Sequence, residues 1–169
     1  MAIQRRNPDM ADLLRPDFLS FAYVCVRDVK AQNTAGGAFN NGAWRTRDLT
    51  NEQADTANIC TLFGNQITIV AGTYRCIISC PARYVDRHQT RLQNITDGAT
   101  LLVGTCAHSP ATGAWVTRSF VVGRFVLAAA KVLEVQHRCE TTRAVDGFGR
   151  ECNWTDEVYT VGEFWRIIA

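Results

Sequence analysis

Few residues in this chain have chemical reach, and their spacing limits what they could do. Cys139 lies two residues after His137 in EVQHRC, and Cys106 and His108 repeat that interval in TCAH. Residues two apart share a face of an extended strand, so each pair could form a thiol–imidazole couple, the starting point of nucleophilic catalysis. A cysteine inside an apolar strand is ordinarily inert packing, so no catalytic residue and no enzyme activity is expected. His88, His108 and His137 stand at no metal-ligand spacing with a carboxylate pair, and neither metal nor cofactor is expected. His137 is read as lining the core or an inter-subunit axis. The seven cysteines are odd in number and lack CxxC spacing, which argues against a disulfide framework or a zinc site. Cys76 and Cys80 share a strand face but lie about 13 Å apart at ~3.3 Å per residue, too far to bridge. The thiols are expected to stay reduced, most of them as small buried hydrophobes.

Aromatic residues offer a second chemistry, because their faces cover the apolar faces of sugars. Trp44 and Trp165 sit inside strand-like segments and are read as core or subunit packing. Trp154 and Phe148 fall in the long polar segment 140–157, and Trp115 borders another loop; for these three, ligand binding and packing stay equally open. Arg143, Arg150, Asp146 and Asp156 add polar groups to the same segment, solvated by default. The candidate ligand-binding set is His108, Trp115, Phe148, Arg150 and Trp154.

The elements that must position these residues read as strands. The densest β-branched and aromatic run, TRSFVVGRFVLAAAKVLEVQHRC (117–139), is taken as a hairpin at the centre of a sandwich. Its first arm is apolar on both faces apart from Arg124. Its second alternates Leu133, Val135, His137 and Cys139 against Val132, Glu134, Gln136 and Arg138. Val121, Phe125, Ala128, Val132 and Val135 also fall at helical spacing, so a helix competes here. Further strands are read at 19–29, at 43–49 (Trp44, Thr46 and Asp48 against Arg45 and Arg47), at 67–70 and at 74–80, the last ended by Pro81. The pair 67–70 and 74–80 is read as a hairpin through an Ala-Gly-Thr turn. Segments 88–95 and 100–107 form another around Thr96-Asp97-Gly98, and 158–168 closes the chain. Antiparallel alternation then gathers loops 81–87, 108–114 and 140–157 at one end, and the tight turns 71–73, 96–99 and 128–130 at the other. Long loops at one end of a sandwich are where such folds usually bind.

The chain has 169 residues and is 47% hydrophobic, enough for one domain with its own core. Residues 1–18 read as a leader or anchor segment and 19–169 as the domain. A formal charge of +2 is too near neutral for a nucleic-acid binder, although the cations are nearly all arginine, which suits protein interfaces. There is no signal-peptide core and no apolar run near the ~18 residues that span a bilayer. Membrane insertion is not expected, folding is assigned to a cytoplasm, and the sequons at Asn94 and Asn153 carry no weight.

Seven stretches in order, GAWRTRDL (42–49), AGTY (71–74), RHQTRLQNITDG (87–98), TRSFVVGRF (117–125), VLEVQHRC (132–139), DGFG (146–149) and FWRI (164–167), resemble the C1q/TNF-like jelly-roll domains of bacteriophage tail fibres and related virion proteins. The resemblance implies an all-β jelly-roll sandwich of eight to ten antiparallel strands, resolves 117–139 as a hairpin, and implies a compact homotrimer displaying its long loops distally. The implied role is a non-catalytic virion structural or host-attachment protein: a fibre tip, head spike or decoration subunit. Its implied partners are other virion subunits through the leader and a host surface glycan or protein. A free-standing trimeric lectin-like module of bacterial origin is the alternative.

Overall fold

The computed structural model describes residues 20–113 and 115–168; the expected leader, 1–18, lies outside them. The described residues form eleven strands: β1 (Ser20–Lys30), β2 (Arg45–Thr46), β3 (Asn51–Asp55), β4 (Cys60–Phe63), β5 (Gln66–Ile69), β6 (Gly72–Arg83), β7 (Asp86–Asn94), β8 (Ala99–Ser109), β9 (Val116–Leu127), β10 (Lys131–Cys139) and β11 (Glu157–Ile168). They build two antiparallel sheets. One runs β3-β1-β11-β6-β9, the other β4-β5-β10-β7-β8 with β2 added against β10.

Period-two alternation places the core. Tyr74, Cys76, Ile78 and Cys80 of β6 and Val121, Phe125 and Leu127 of β9 point inward from the first sheet. Ile67, Ile69, Leu92, Leu133 and Val135 meet them from the second. Tyr74 stacks on Phe125 with ring centroids 5.4 Å apart, and Phe164 meets Phe125 edge-on at 6.4 Å. Each large side chain so buried is worth roughly 1.5–3 kcal/mol.

The 117–139 stretch is not a hairpin. β9 lies at an edge of the five-stranded sheet against β6, whereas β10 lies inside the other sheet between β5 and β7. Ala128–Ala130 carry the chain across the sandwich. Alternation reports which face is buried, and two arms facing each other across a core carry the same pattern as two arms paired side by side. The same holds for β5 and β6, read as a hairpin but placed in different sheets. Nor does Pro81 end β6. Pairing with β11 stops at Ser79, and beyond it β6 pairs with β9 alone, Pro81 opposite Arg118, so one side of the strand has no partner that needs its missing N–H. The polar stretch before Asn65 contains two edge strands: β3, whose polar NEQAD sequence hides it from a hydrophobicity reading, and β4, whose four residues CTLF are too short to show a period. The hairpin around 96–98 is present as β7 and β8.

One flank of the sandwich is nearly closed by contact between β8 and β9. Gly104 makes this possible, since a Cβ there would stand 2.5 Å from Thr90 Oγ1 and 2.7 Å from the Phe120 carbonyl. Ser119 Oγ donates to the Thr105 carbonyl at 2.6 Å, and the Phe120 amide to Thr105 Oγ1 at 2.9 Å.

Candidate functional site at the loop end

The β6–β7, β8–β9 and β10–β11 connections meet at one end, joined by segment 31–44, whose place there the sequence reading did not foresee. The Val85 amide donates to the Ser109 carbonyl, Thr141 to Val85, Gly36 to Gly149, and Phe39 and Arg143 bond reciprocally. Arg83 and Arg143 both pair with Asp146, so two of the charges read as solvated loop are tied down inside the cluster. The short links lie opposite: Lys131 pairs with Asp97 at 2.6 Å, and the Val132 amide donates to Thr96 Oγ1.

Beneath these loops the core turns polar. Arg47 is fully buried. It donates from Nε to Thr160 Oγ1 at 2.8 Å, and from its two terminal nitrogens to the carbonyls of Pro81 (3.2 Å) and Phe148 (3.0 Å). Its guanidinium lies 3.9 Å from the Phe148 ring centroid. One side chain thereby staples β6, β11 and the long loop. Phe148 also packs on Phe39 (4.5 Å) and stacks on His137. The DGFG sequence explains how it gets there: a Cβ on Gly147 would stand 2.6 Å from Phe39 Cβ, and one on Gly149 2.4 Å from the Tyr159 ring. Two glycines let the backbone descend far enough to bury the phenylalanine between them.

His88 and His137 form a buried pair, Nδ1 of the first 2.9 Å from Nε2 of the second, with His88 Nε2 2.8 Å from Thr117 Oγ1. His137 Nδ1 is buried without a partner among the described residues. Two tautomer sets satisfy these distances, and the one that leaves an acceptor rather than an N–H unpaired at His137 Nδ1 is favoured: His137 donates from Nε2 to His88, and His88 donates from Nε2 to Thr117. Burial, then the nearby Arg47 charge, depresses both imidazoles, His88 to about 4 and His137 well below its ordinary value. The pair is neutral at pH 7. Asp28 is buried too, with Lys30 Nζ 3.2 Å away, and burial raises its carboxyl despite that neighbour.

Neither Cys-His couple forms. His137 is engaged with His88, while Cys139 Sγ donates to the Phe39 carbonyl at 3.8 Å and burial lifts its thiol to about 11. His108 stands 3.9 Å from Asp86, and Cys106 Sγ accepts from Gln89. Cys106 and Cys152 are exposed, so the small-hydrophobe reading applies only to the other five.

Of the candidate ligand residues, Trp154 is 85% exposed and Trp115 66%, with Arg150 and His108 also at the surface. They do not form one patch. Trp154 lies on the side where Gln32 donates to the Asn153 carbonyl, across the sheet from Trp115, which precedes the β9 edge and packs over Gly113. Phe148, at 6% exposure, lies under this surface as part of its scaffold. The sequence reading missed Arg47, although its parity with Leu49, also buried, was a signal.

A second surface exposes apolar side chains among charged ones. On the outer face of the five-stranded sheet, register places Phe21, Ile167, Thr73 and Val126 in one row, and Tyr23, Trp165, Arg75 and Arg124 in the next. Cys25, Glu163, Ile77 and Val122 follow, then Arg27, Val161, Ser79 and Phe120. Val122 is 56% exposed and Val126 67%. Tyr23 packs on Trp165 and donates to Glu163 at 2.6 Å. The same face ends in a cleft holding Arg27 and Asn51, whose Nε and Oδ1 are buried without partners among the described residues.

No family model matches the sequence, and no curated protein matches it. Among solved structures the chain is similar to murine APRIL, with a TM-score of 0.58 at 9% identity over 88% of this chain and 100% of that one. It is also similar to the globular domain of zebrafish complement 1qA, with a TM-score of 0.54 at 14% identity over 88% and 98%. The fold is a C1q/TNF-like jelly roll.

Proposed function

We propose that the chain works as a non-catalytic homotrimeric binding module, assembled through the outer face of the five-stranded sheet and displaying its loop end to a ligand. The observation that carries this is the pattern of β9. Its odd residues Val121, Phe125 and Leu127 are used up by the core, yet Phe120, Val122 and Val126 on the opposite face are exposed. A two-sheet sandwich covers one face of each sheet, and a second face that exposes Phe21, Phe120, Val122 and Val126, interspersed with Arg75 and Arg124, has the mixed apolar and arginine-rich make-up of an interface. The unpartnered Arg27 and Asn51 atoms at its margin add support, and the similarity to C1q/TNF-like folds agrees with it. The resemblance of the seven quoted stretches supports a virion setting, structural or in host attachment. Trp154, Arg150, Trp115 and His108 are then the exposed groups available to a glycan or protein, each repeated three times so that weak contacts gain avidity.

Sedimentation equilibrium at micromolar concentration tests the assembly: three protomers for the parent and a monomer for the double variant V122R/V126E, whose charges would be desolvated in the interface. A monomeric parent would overturn the proposal. An antibody to the purified protein tests the setting; labelling of purified particles supports the virion role, and signal confined to the soluble fraction supports the free-standing module.

A further inference from the structure

The outer face of the six-stranded sheet carries a groove away from the trimer face, bordering the loop end where Asn41 and Gly42 reach it, and none of the exposed loop residues named above lines it. Its volume is about 530 Å³, and its walls include Trp44, Arg87, Gln89, Cys106, Arg138 and Glu140. Register explains why these meet. Arg138 of β10 stands opposite Gln89 of β7, and Gln89 opposite Cys106 of β8. Trp44 directly precedes the rung that pairs Arg45 with His137, which brings it beside Arg138.

The groove is held in shape before anything binds. Arg91 lies 4.3 Å from the Trp44 ring centroid and is itself fixed by Gln136 at 2.9 and 2.7 Å and by Thr100 at 3.1 Å. Trp44 lines the groove and Arg91 does not. Arg87 is bound to Glu140, from Nε at 2.8 Å, and Gln89 donates to the Gly104 carbonyl at 2.9 Å, which leaves its Oε1 free to accept. Arg138 is exposed and has no carboxylate partner among the described residues. The wall therefore combines a fixed aromatic surface, hydroxyl-accepting oxygens on Gln89 and Glu140, and one guanidinium whose charge is not compensated.

We propose that this groove binds a carboxylated pyranose, a sugar of the uronic- or sialic-acid type, with its apolar face on Trp44 and its carboxylate on Arg138. A pyranose ring presents C–H groups on one face that an indole covers well, and its hydroxyls need acceptors at the rim. A carboxylate meets a guanidinium as a paired fork. The site is complete within one protomer, so it stands or falls separately from the trimer and virion readings.

The test uses the full chain with oligogalacturonate and sialyllactose as acidic probes and lactose as the neutral one, read by saturation-transfer NMR and tryptophan fluorescence titration. An acidic probe should bind the parent at least about tenfold more tightly than lactose. W44A should lose that binding by about tenfold or more, and W44F should retain most of it. R138Q, an exposed substitution with no packing cost, should abolish the preference for acidic over neutral sugar. Sedimentation of each variant separates loss of binding from loss of assembly. Failure of both acidic probes to bind the parent, or unchanged binding and preference in W44A and R138Q, would overturn the proposal.

Discussion

Between pH 7 and pH 5 the folded protein should lose stability because of two buried histidines. In the unfolded chain an imidazole takes its proton near 6.5; in the fold His88 resists until about 4, held there by burial and then by the Arg47 charge. Across that window the unfolded state binds more protons than the native state, so acidification favours unfolding. The stability is fully present above 6.5 and is lost as the pH falls toward 4. For His88, 3% exposed, the loss is about 2 kcal/mol by pH 5 and about 3 by pH 4. His137 adds to it in the same direction, and because the rings share a hydrogen bond they titrate as a pair. The loss is large against the ~5–15 kcal/mol that holds a domain together. The carboxylates do not confuse the upper half of the window. Glu140 titrates near 2 in the fold, held down by Arg87, and Asp28, raised by burial, works in the opposite direction. Urea unfolding at fixed protein concentration at pH 7, 6 and 5 measures the effect in the parent and in H88Q/H137F, whose second substitution sets an apolar ring between Phe39 and Phe148. The parent should weaken over this range while the double variant stays nearly level. Parallel profiles would refute the buried neutral pair.

Phe148→Ala removes a ring packed on Phe39, His137 and Arg47 and should cost about 3–5 kcal/mol in urea unfolding, whereas Trp154→Ala should change stability by less than about 0.5 kcal/mol. Arg47→Met strands the Pro81 and Phe148 carbonyls without their donor and should destabilise by roughly 2–4 kcal/mol; removing its charge should also raise the His88 titration point, read by NMR. Native protein should expose two fast-reacting thiols, Cys106 and Cys152, to a disulfide reagent, and seven after unfolding in urea. Cys60 and Cys76, lifted to about 12 by burial, should be silent until the fold opens.

The all-β class and the inward face of β10 were legible in the sequence alone, because each rests on local information: alternation such as Leu133, Val135, His137 and Cys139 needs only the pleat to set its direction. The jelly-roll architecture came with the resemblance of the seven stretches in their order. The pattern also pointed to β9 as a strand with an apolar face left over, because Val122 and Val126 sit opposite a face already complete. Partner choice was settled only in three dimensions. β9 with β10, and β5 with β6, follow one another through short links and look like hairpins, yet each pair faces across the core, since burial constrains side chains and says nothing about which backbone supplies the hydrogen bonds. Residue type misled most where polar groups go inside. Arg47 reads as a surface charge until strands β6 and β11 and the DGFG loop bring three acceptors to it. Phe148 reads as a loop aromatic free to meet a ligand until Gly147 and Gly149 let the backbone sink and bury it. Trp44 and Arg138 lie 94 positions apart, and only the β2–β10 rung makes them neighbours.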